Sequence, residues 1–142
     1  EPFLIGSSLN TAVAQRLVRK ICEFCKVDAD LTPAFYEDMK KDFDKIPSQY
    51  REGLVFDENN RKVKKGAGCQ KCNGTGYKGR IGVFEVLKVS EAIQSLIVKR
   101  ASTSDILAKA LEEGMITMKQ DGELKVIKGL TTMEEVYRAT NL

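Results

Sequence analysis

The chain has 142 residues, 42% of them hydrophobic and 30% charged, a globular balance that excludes global disorder. Its net charge of +3 is too mild to mark a nucleic-acid binder by itself, and the absence of histidine removes imidazole from any acid–base mechanism or metal site. No apolar run approaches the ~20 residues of a membrane-spanning helix, and no basic-then-apolar signal peptide opens the chain.

Glu1 to Gly6 is a short apolar run with no cap before it and reads as a strand cut from something larger. Ser7 or Ser8 then caps a helix to about Ile21. Leu9, Val13, Leu17 and Ile21 recur every four residues, Ala12, Ala14 and Val18 widen the stripe, and Arg16, Arg19 and Lys20 crowd the end where cations suit a helix. Cys22-x-x-Cys25 follows at once. Thr32-Pro33 opens a second helix, a cap followed by proline at the first helical position, with Phe35, Tyr36, Met39 and Phe43 on its apolar side and a stop before Pro47. The stretch is acidic at first, with Asp28, Asp30, Glu37, Asp38, Asp42 and Asp44, and then reverses sign: seven Lys or Arg and no acid occur from Arg61 to Arg80.

Gly66, Gly68, Gly74, Gly76 and Gly79 surround Cys69-x-x-Cys72, where tight thiolate turns favour glycine. Ile81 to Leu87 is β-branched and aromatic and reads as a strand. Beyond it the pattern is helical. Ser90 caps a helix carrying Ile93, Leu96 and Ile97; Ser102 or Thr103 starts another with Ile106, Leu107, Ala110 and Leu111, stopped by Gly114. Met115 to Lys128 carries Met115, Met118, Leu124 and Ile127, with Gly122 arguing against one unbroken helix and Gly129 ending the segment. Thr132-x-x-Glu135 is a capping box for the last helix, with Val136 facing inward. The expected fold class is α+β, predominantly α-helical: a small β element and a tetracysteine zinc knuckle, followed by a C-terminal helical bundle.

The two C-x-x-C pairs carry the clearest chemistry. Cys22, Cys25, Cys69 and Cys72 read as a tetrathiolate zinc site, against the alternative of four buried or redox cysteines without metal. Closing the 43 residues between the pairs costs about 3 kcal/mol plus a constant, whereas structural zinc contributes on the order of 10–16 kcal/mol, so the metal tolerates the long insert. A closed thiolate shell has no open position for water and is structural. Arg19, Lys20, Lys26 and Lys71 lie beside the ligands and offset its negative charge. The basic window from Arg61 to Arg80 suits phosphates as well, but Tyr77 is its only aromatic, a poor stacking platform. No G-x-x-x-x-G-K-[ST] occurs, so the chain has no P-loop. Glu85, in an apolar strand, is read as outward-facing or as a partner for Arg80.

Several segments in a fixed order resemble a known family. These are Glu1-Pro-Phe-Leu-Ile-Gly-Ser-Ser-Leu9, Ala14-Gln-Arg-Leu-Val-Arg-Lys-Ile-Cys22, Gly76-Tyr-Lys-Gly-Arg-Ile-Gly-Val-Phe-Glu85, Ala92-Ile-Gln-Ser-Leu-Ile97, Gly114-Met115, Asp121-Gly122 and Gly129-Leu-Thr-Thr-Met-Glu-Glu-Val136. Together with the four cysteines they resemble the C-terminal part of the ATPases of bacterial type II secretion and type IV pilus assembly, tetracysteine zinc-binding type. The match covers nearly everything except the insert at about 27–65. The resemblance implies residues 1–21 as the last strand and helix of an ATPase core, 22–88 as the zinc subdomain and 89–142 as a helical subdomain. It implies a parent that is a cytoplasmic homo-hexamer, using ATP and Mg²⁺ and peripheral to the inner membrane on a platform protein. Gln15 and Arg16 are the nearest candidates for nucleotide contact in such a parent. No catalytic residue is expected here, since the P-loop and Walker B carboxylate are missing, and the chain reads as a non-catalytic fragment that binds no specific nucleic acid. The rival readings are a zinc-dependent nucleic-acid module and a chaperone-like protein-binding zinc domain, the latter because Cys69-x-x-Cys72-Asn73-Gly74-Thr75-Gly76 matches once a repeat of the J-domain co-chaperones.

Overall fold

Pro2 occupies the first helical position of α1 (Pro2–Ser8) in a computed structural model that describes residues 1–141. The chain continues through β1 (Thr11–Ile21), β2 (Lys26–Ala29), α2 (Pro33–Lys45), α3 (Ser48–Arg51), β3 (Val63–Gly66), a 3₁₀ turn (Gln70–Cys72) and β4 (Tyr77–Lys88). Four helices follow, α4 (Glu91–Val98), α5 (Thr103–Glu112), α6 (Met118–Ile127) and α7 (Met133–Thr140). The α+β class, mainly helical with a small antiparallel β component, is as expected. The two elements before the first cysteine pair are not: the expected strand is α1, and the expected helix is β1.

The physical reason lies in long-range pairing. β1 runs antiparallel to β4 in a two-stranded sheet, from Thr11 opposite Lys88 to Ile21 opposite Tyr77. Such a ladder overrides the helical spacing of Leu9, Val13, Leu17 and Ile21, because propensity is worth only tenths of a kcal/mol per residue. Residues directly opposite share a face. Val18 and Ile81, and the inward Val83, pack on Ala139 of α7 and Met118. On the other face Val13, Leu17, Phe84 and Val86 remain exposed. Near the end the register slips by one residue, with Lys78 and Gly79 opposing Lys20; Gly79 takes φ +84°, a conformation that suits glycine in a bulge. α1 packs on α4, and Gly6 permits the close approach: a Cβ there would stand 3.1 Å from Val98 Cγ2.

The insert between the cysteine pairs is the second surprise. Its helix α2 is capped by Thr32 and stops before Pro47, as the sequence implies. Its apolar side, however, makes one core with the C-terminal helices. Met39, Phe43, Ile46, Phe56 and Val63 of the insert pack with Leu124, Val126, Met133 and Val136 of the α6–α7 region. With nine buried residues, at about 1.5–3 kcal/mol for each large apolar side chain fully buried, this core is the largest of the three buried clusters among the described residues. The short hairpin partners β2 and β3 tie the two ends of the insert together, Lys26 opposite Gly66 and Ala29 opposite Val63.

The late helices follow their caps. Ser90, Ser102 and Thr132 each accept the N–H three residues on. Two details differ. Thr117 and Gln120 form a capping box that delays α6 to Met118 rather than Met115, and α6 runs unbroken through Gly122. A Cβ at Gly122 would lie 2.8 Å from Val136 Cγ1, so the glycine is where α7 crosses α6 rather than a break. Glu135 does not close a capping box with Thr132; its carboxylate is engaged elsewhere.

Candidate metal centre

Cys22 is carried out of β1 onto the turn that ends in Cys25, and Cys69 and Cys72 flank the 3₁₀ turn. Two backbone links register the halves: Cys22 N–H donates to Gly76 O at 2.9 Å, and Ala67 N–H donates to Cys25 O at 3.0 Å. The approach is tight enough that a Cβ on Gly66 would fall 2.0 Å from Gly76 O, which explains the glycines on both sides. All four Sγ atoms lie within 4.8 Å of one another. Cys22–Cys69 is 3.8 Å, Cys25–Cys72 3.9 Å and Cys69–Cys72 3.7 Å.

Those separations test the donor set. A disulfide needs about 2.05 Å between sulfurs, and no pair approaches it. A tetrahedron with zinc–sulfur bonds of about 2.3 Å has edges of about 3.8 Å, the spacing found here. The residues present therefore fit a four-thiolate metal site. Backbone donors support the thiolates: Gly68 N–H points at Cys25 Sγ (3.3 Å), and the N–H groups of Cys69 and Gly76 at Cys72 Sγ (3.3 and 3.2 Å). Burial pushes the Cys72 thiol up, but the two N–H groups prevail and hold it down at about 6. Burial raises Cys25 to about 11 in the absence of metal.

The cations expected to offset the thiolates are mostly committed elsewhere. Lys26 and Lys20 both reach Glu23 (2.9 and 3.9 Å), and Lys71 lies over the Phe24 ring. Arg19 turns to α7. Its N–H, Nε and guanidinium converge on the buried Glu135 at 2.7, 2.9 and 2.8 Å, and Arg138 adds a contact of 2.8 Å. Arg19 also lies over Tyr77, whose hydroxyl meets that of Thr132. Burial pushes the Glu135 carboxyl up, yet Arg138 and Arg19 win and hold it at about 2. This clamp fastens the strands leading to the knuckle onto α7, and sequence spacing offered no signal for it beyond an acid in the first turn of a helix.

Gln15 and Arg16 stand on β1, not on a helix. As neighbours in a strand they face opposite sides: Gln15 pairs with Phe84 on the exposed face and Arg16 with Val83. Both are exposed, and Arg16 lines a shallow cleft with Leu17, Arg138 and Ala139. Glu85 is neither outward-facing nor paired with Arg80. It accepts the Met118 N–H at 2.8 Å, so it caps α6 from the sheet. The basic window is divided as well: Lys64 pairs with Asp28, Arg61 lies over Tyr36, and Lys62, Lys65, Lys78 and Arg80 are exposed. Among the described residues no helix is long and apolar enough to cross a membrane.

Comparison with known proteins extends over the whole chain. A family model described as "Type II/IV secretion system protein" matches residues 1–138. The chain is 39% identical over 141 residues to the type IV pilus assembly ATPase PilB of Thermus thermophilus, covering 99% of this chain and 14% of that protein. It is 39% identical over 142 residues to the type II secretion system ATPase E of Vibrio cholerae, covering 99% and 25%. To the type IV pilus assembly ATPase TfpB of Acinetobacter baylyi it is 30% identical over 142 residues, covering 100% and 22%. The chain thus spans a quarter or less of the length of these relatives.

Proposed function

Since the chain belongs to the family of type II/IV secretion system proteins, we propose that it serves as a zinc-bearing, non-catalytic part of an ATPase motor that drives secretion or pilus assembly. The observation that carries this reading is the end-to-end match to ATPases of both machines. Cys22, Cys25, Cys69 and Cys72 hold one Zn²⁺, and the metal's task is to fix the ends of the insert against the sheet. ATP and Mg²⁺ belong to the rest of the motor, because nothing in this sequence offers a glycine loop for phosphates.

The surface supports such a role. Val13, Leu17, Phe84 and Val86 form an exposed apolar sheet face, and among the described residues β1 has no third strand beside it. Open edges and apolar faces of this kind are normally covered. Residues 1–21 are where the remainder of a longer ATPase core would pack, with Gln15 and Arg16 the residues of this chain nearest to nucleotide. Subunits of a homo-hexamer and an inner-membrane platform protein are the partners, and the motor works on the cytoplasmic side of the membrane.

The test pits partners against each other. The zinc-loaded chain is offered the cytoplasmic domain of a platform protein and, separately, DNA and RNA oligomers at 0.15 M salt. Platform binding with no Mg²⁺-dependent phosphate release from ATP is the expected result. Micromolar or tighter oligomer binding, lost on Lys64→Glu with Lys65→Glu, would replace the motor reading with the nucleic-acid one. Counterion release would then give a log–log salt slope of about −0.9 per duplex phosphate neutralised.

A further inference from the structure

A second cluster of ligand-type side chains lies away from the cysteines, where α2 meets α6. Asp38 and Asp42 project from α2 and Glu123 from α6, with one carboxylate oxygen of each within 4.8 Å of the others. Lys119, one turn before Glu123, holds its ammonium 2.7 Å from Asp38, 3.1 Å from Asp42 and 3.8 Å from Glu123. Tyr137 of α7 donates its hydroxyl to Asp38, and Lys119 lies over the Tyr137 ring. Lys41 of α2 is the other charge acting on Asp38.

Glu123 sets this group apart from an ordinary surface acid cluster. Its side chain is 1% exposed, and neither carboxylate oxygen has a hydrogen-bond partner. Three carboxylates share one contacting ammonium, which leaves an excess of negative charge when all are ionised. A buried charge in that state is costly enough that a further cation or a proton has to accompany it. Burial, the charge of Asp42 and the hydrogen bond that a protonated Glu123 would make to Asp42 push the Glu123 carboxyl up to about 9.

We propose that Asp38, Asp42 and Glu123 form a binding site for a hard divalent cation, which replaces the Lys119 ammonium between α2 and α6. An all-oxygen carboxylate set suits Ca²⁺, Mn²⁺ or Mg²⁺ rather than a thiophilic metal, so the site is chemically separate from the cysteine centre. Asp38 and Asp42 are about one-third and one-quarter exposed, which gives the ion an entry, and Lys119 is itself one-quarter exposed. Binding would bridge the insert to the C-terminal helices.

The test uses the zinc-reconstituted chain and Tb³⁺ as probe, read by tyrosine-sensitised emission, because Tyr137 touches Asp38. The expected result is saturable one-site emission, displaced by Ca²⁺ or Mn²⁺. The isosteric Glu123→Gln weakens it about tenfold or more. Lys119→Met removes the competing ammonium and tightens it. Circular dichroism confirms that each variant is folded, and Asp42→Asn serves if Glu123→Gln is not. No saturable emission below ~1 mM, the weak end of protein sites of this class, overturns the proposal. So does binding that Glu123→Gln and Asp42→Asn leave unchanged, or a Glu123→Gln protein that is merely more stable with no ion bound by the parent, which would mean that a proton alone neutralises the cluster.

Discussion

Glu135 is 2% exposed and faces two arginines from different elements. The folded carboxyl sits near 2 against an ordinary 4.5. A depressed carboxyl contributes stability above its unfolded value and loses it as pH falls through the folded one. Unfolding free energy should therefore drop between about pH 5 and pH 2 by on the order of 3 kcal/mol from this group. Glu135→Gln should cost about 2–3 kcal/mol at pH 7 and flatten that slope, because the isostere keeps the shape and removes the charge. Denaturant unfolding of both proteins across that range checks it; an unchanged acid slope in the variant would show that the clamp is not what the acid limb reports. Asp and Glu count alone never pointed to Glu135. Its acid-in-first-turn position has a local reading, as a capping box, and Arg19 lies more than a hundred residues away.

At the level of elements, α6 and α7 turn on one contact. Gly122 is a poor helix residue, and alanine would gain about 1 kcal/mol from propensity. The added Cβ would meet the buried, β-branched Val136 at 2.8 and 2.9 Å, and overpacking of that kind costs about 1–3 kcal/mol. Gly122→Ala is therefore expected to destabilise by about 1 kcal/mol net, and to be milder in a Val136→Ala background. A double-mutant cycle by thermal or denaturant unfolding measures it; additive effects would mean that the helices can spread at no cost. The β1 segment teaches the converse. Its residues satisfy a helical template, and they form a strand because β4 supplies a partner along its length.

In the whole molecule the cysteine centre and the shared core divide the labour. The insert is anchored at its ends by the knuckle, through Lys26 directly after Cys25 and Gly66 three residues before Cys69, and along its body by Met39, Phe43 and Phe56 against α6 and α7. Elemental analysis of freshly purified, reduced protein should find one zinc per chain; less than about half an equivalent counts heavily against the site. Chelation or Cys72→Ser should speed amide exchange first in β2, β3 and the 3₁₀ turn, with α6 and α7 following later because their core does not include the cysteines. Simultaneous loss of protection everywhere would show that the centre and the core unfold as one unit.

The four cysteines, the caps at Thr32, Ser90, Ser102 and Thr132, the strand after the second knuckle and the family resemblance were legible in the chain itself, because each depends on neighbours within a few residues or on an ordered set of motifs. The strand identity of Thr11–Ile21, the Arg19–Glu135 clamp, the capping of α6 by Glu85 and the carboxylate cluster around Lys119 were decided only by tertiary structure. Each of these joins groups more than thirty residues apart except along α6, and a sequence pattern records periodicity and local chemistry but not which distant surface arrives to satisfy them. Where local preference is worth tenths of a kcal/mol and a long ladder or a buried ion pair is worth several, the distant partner determines the outcome.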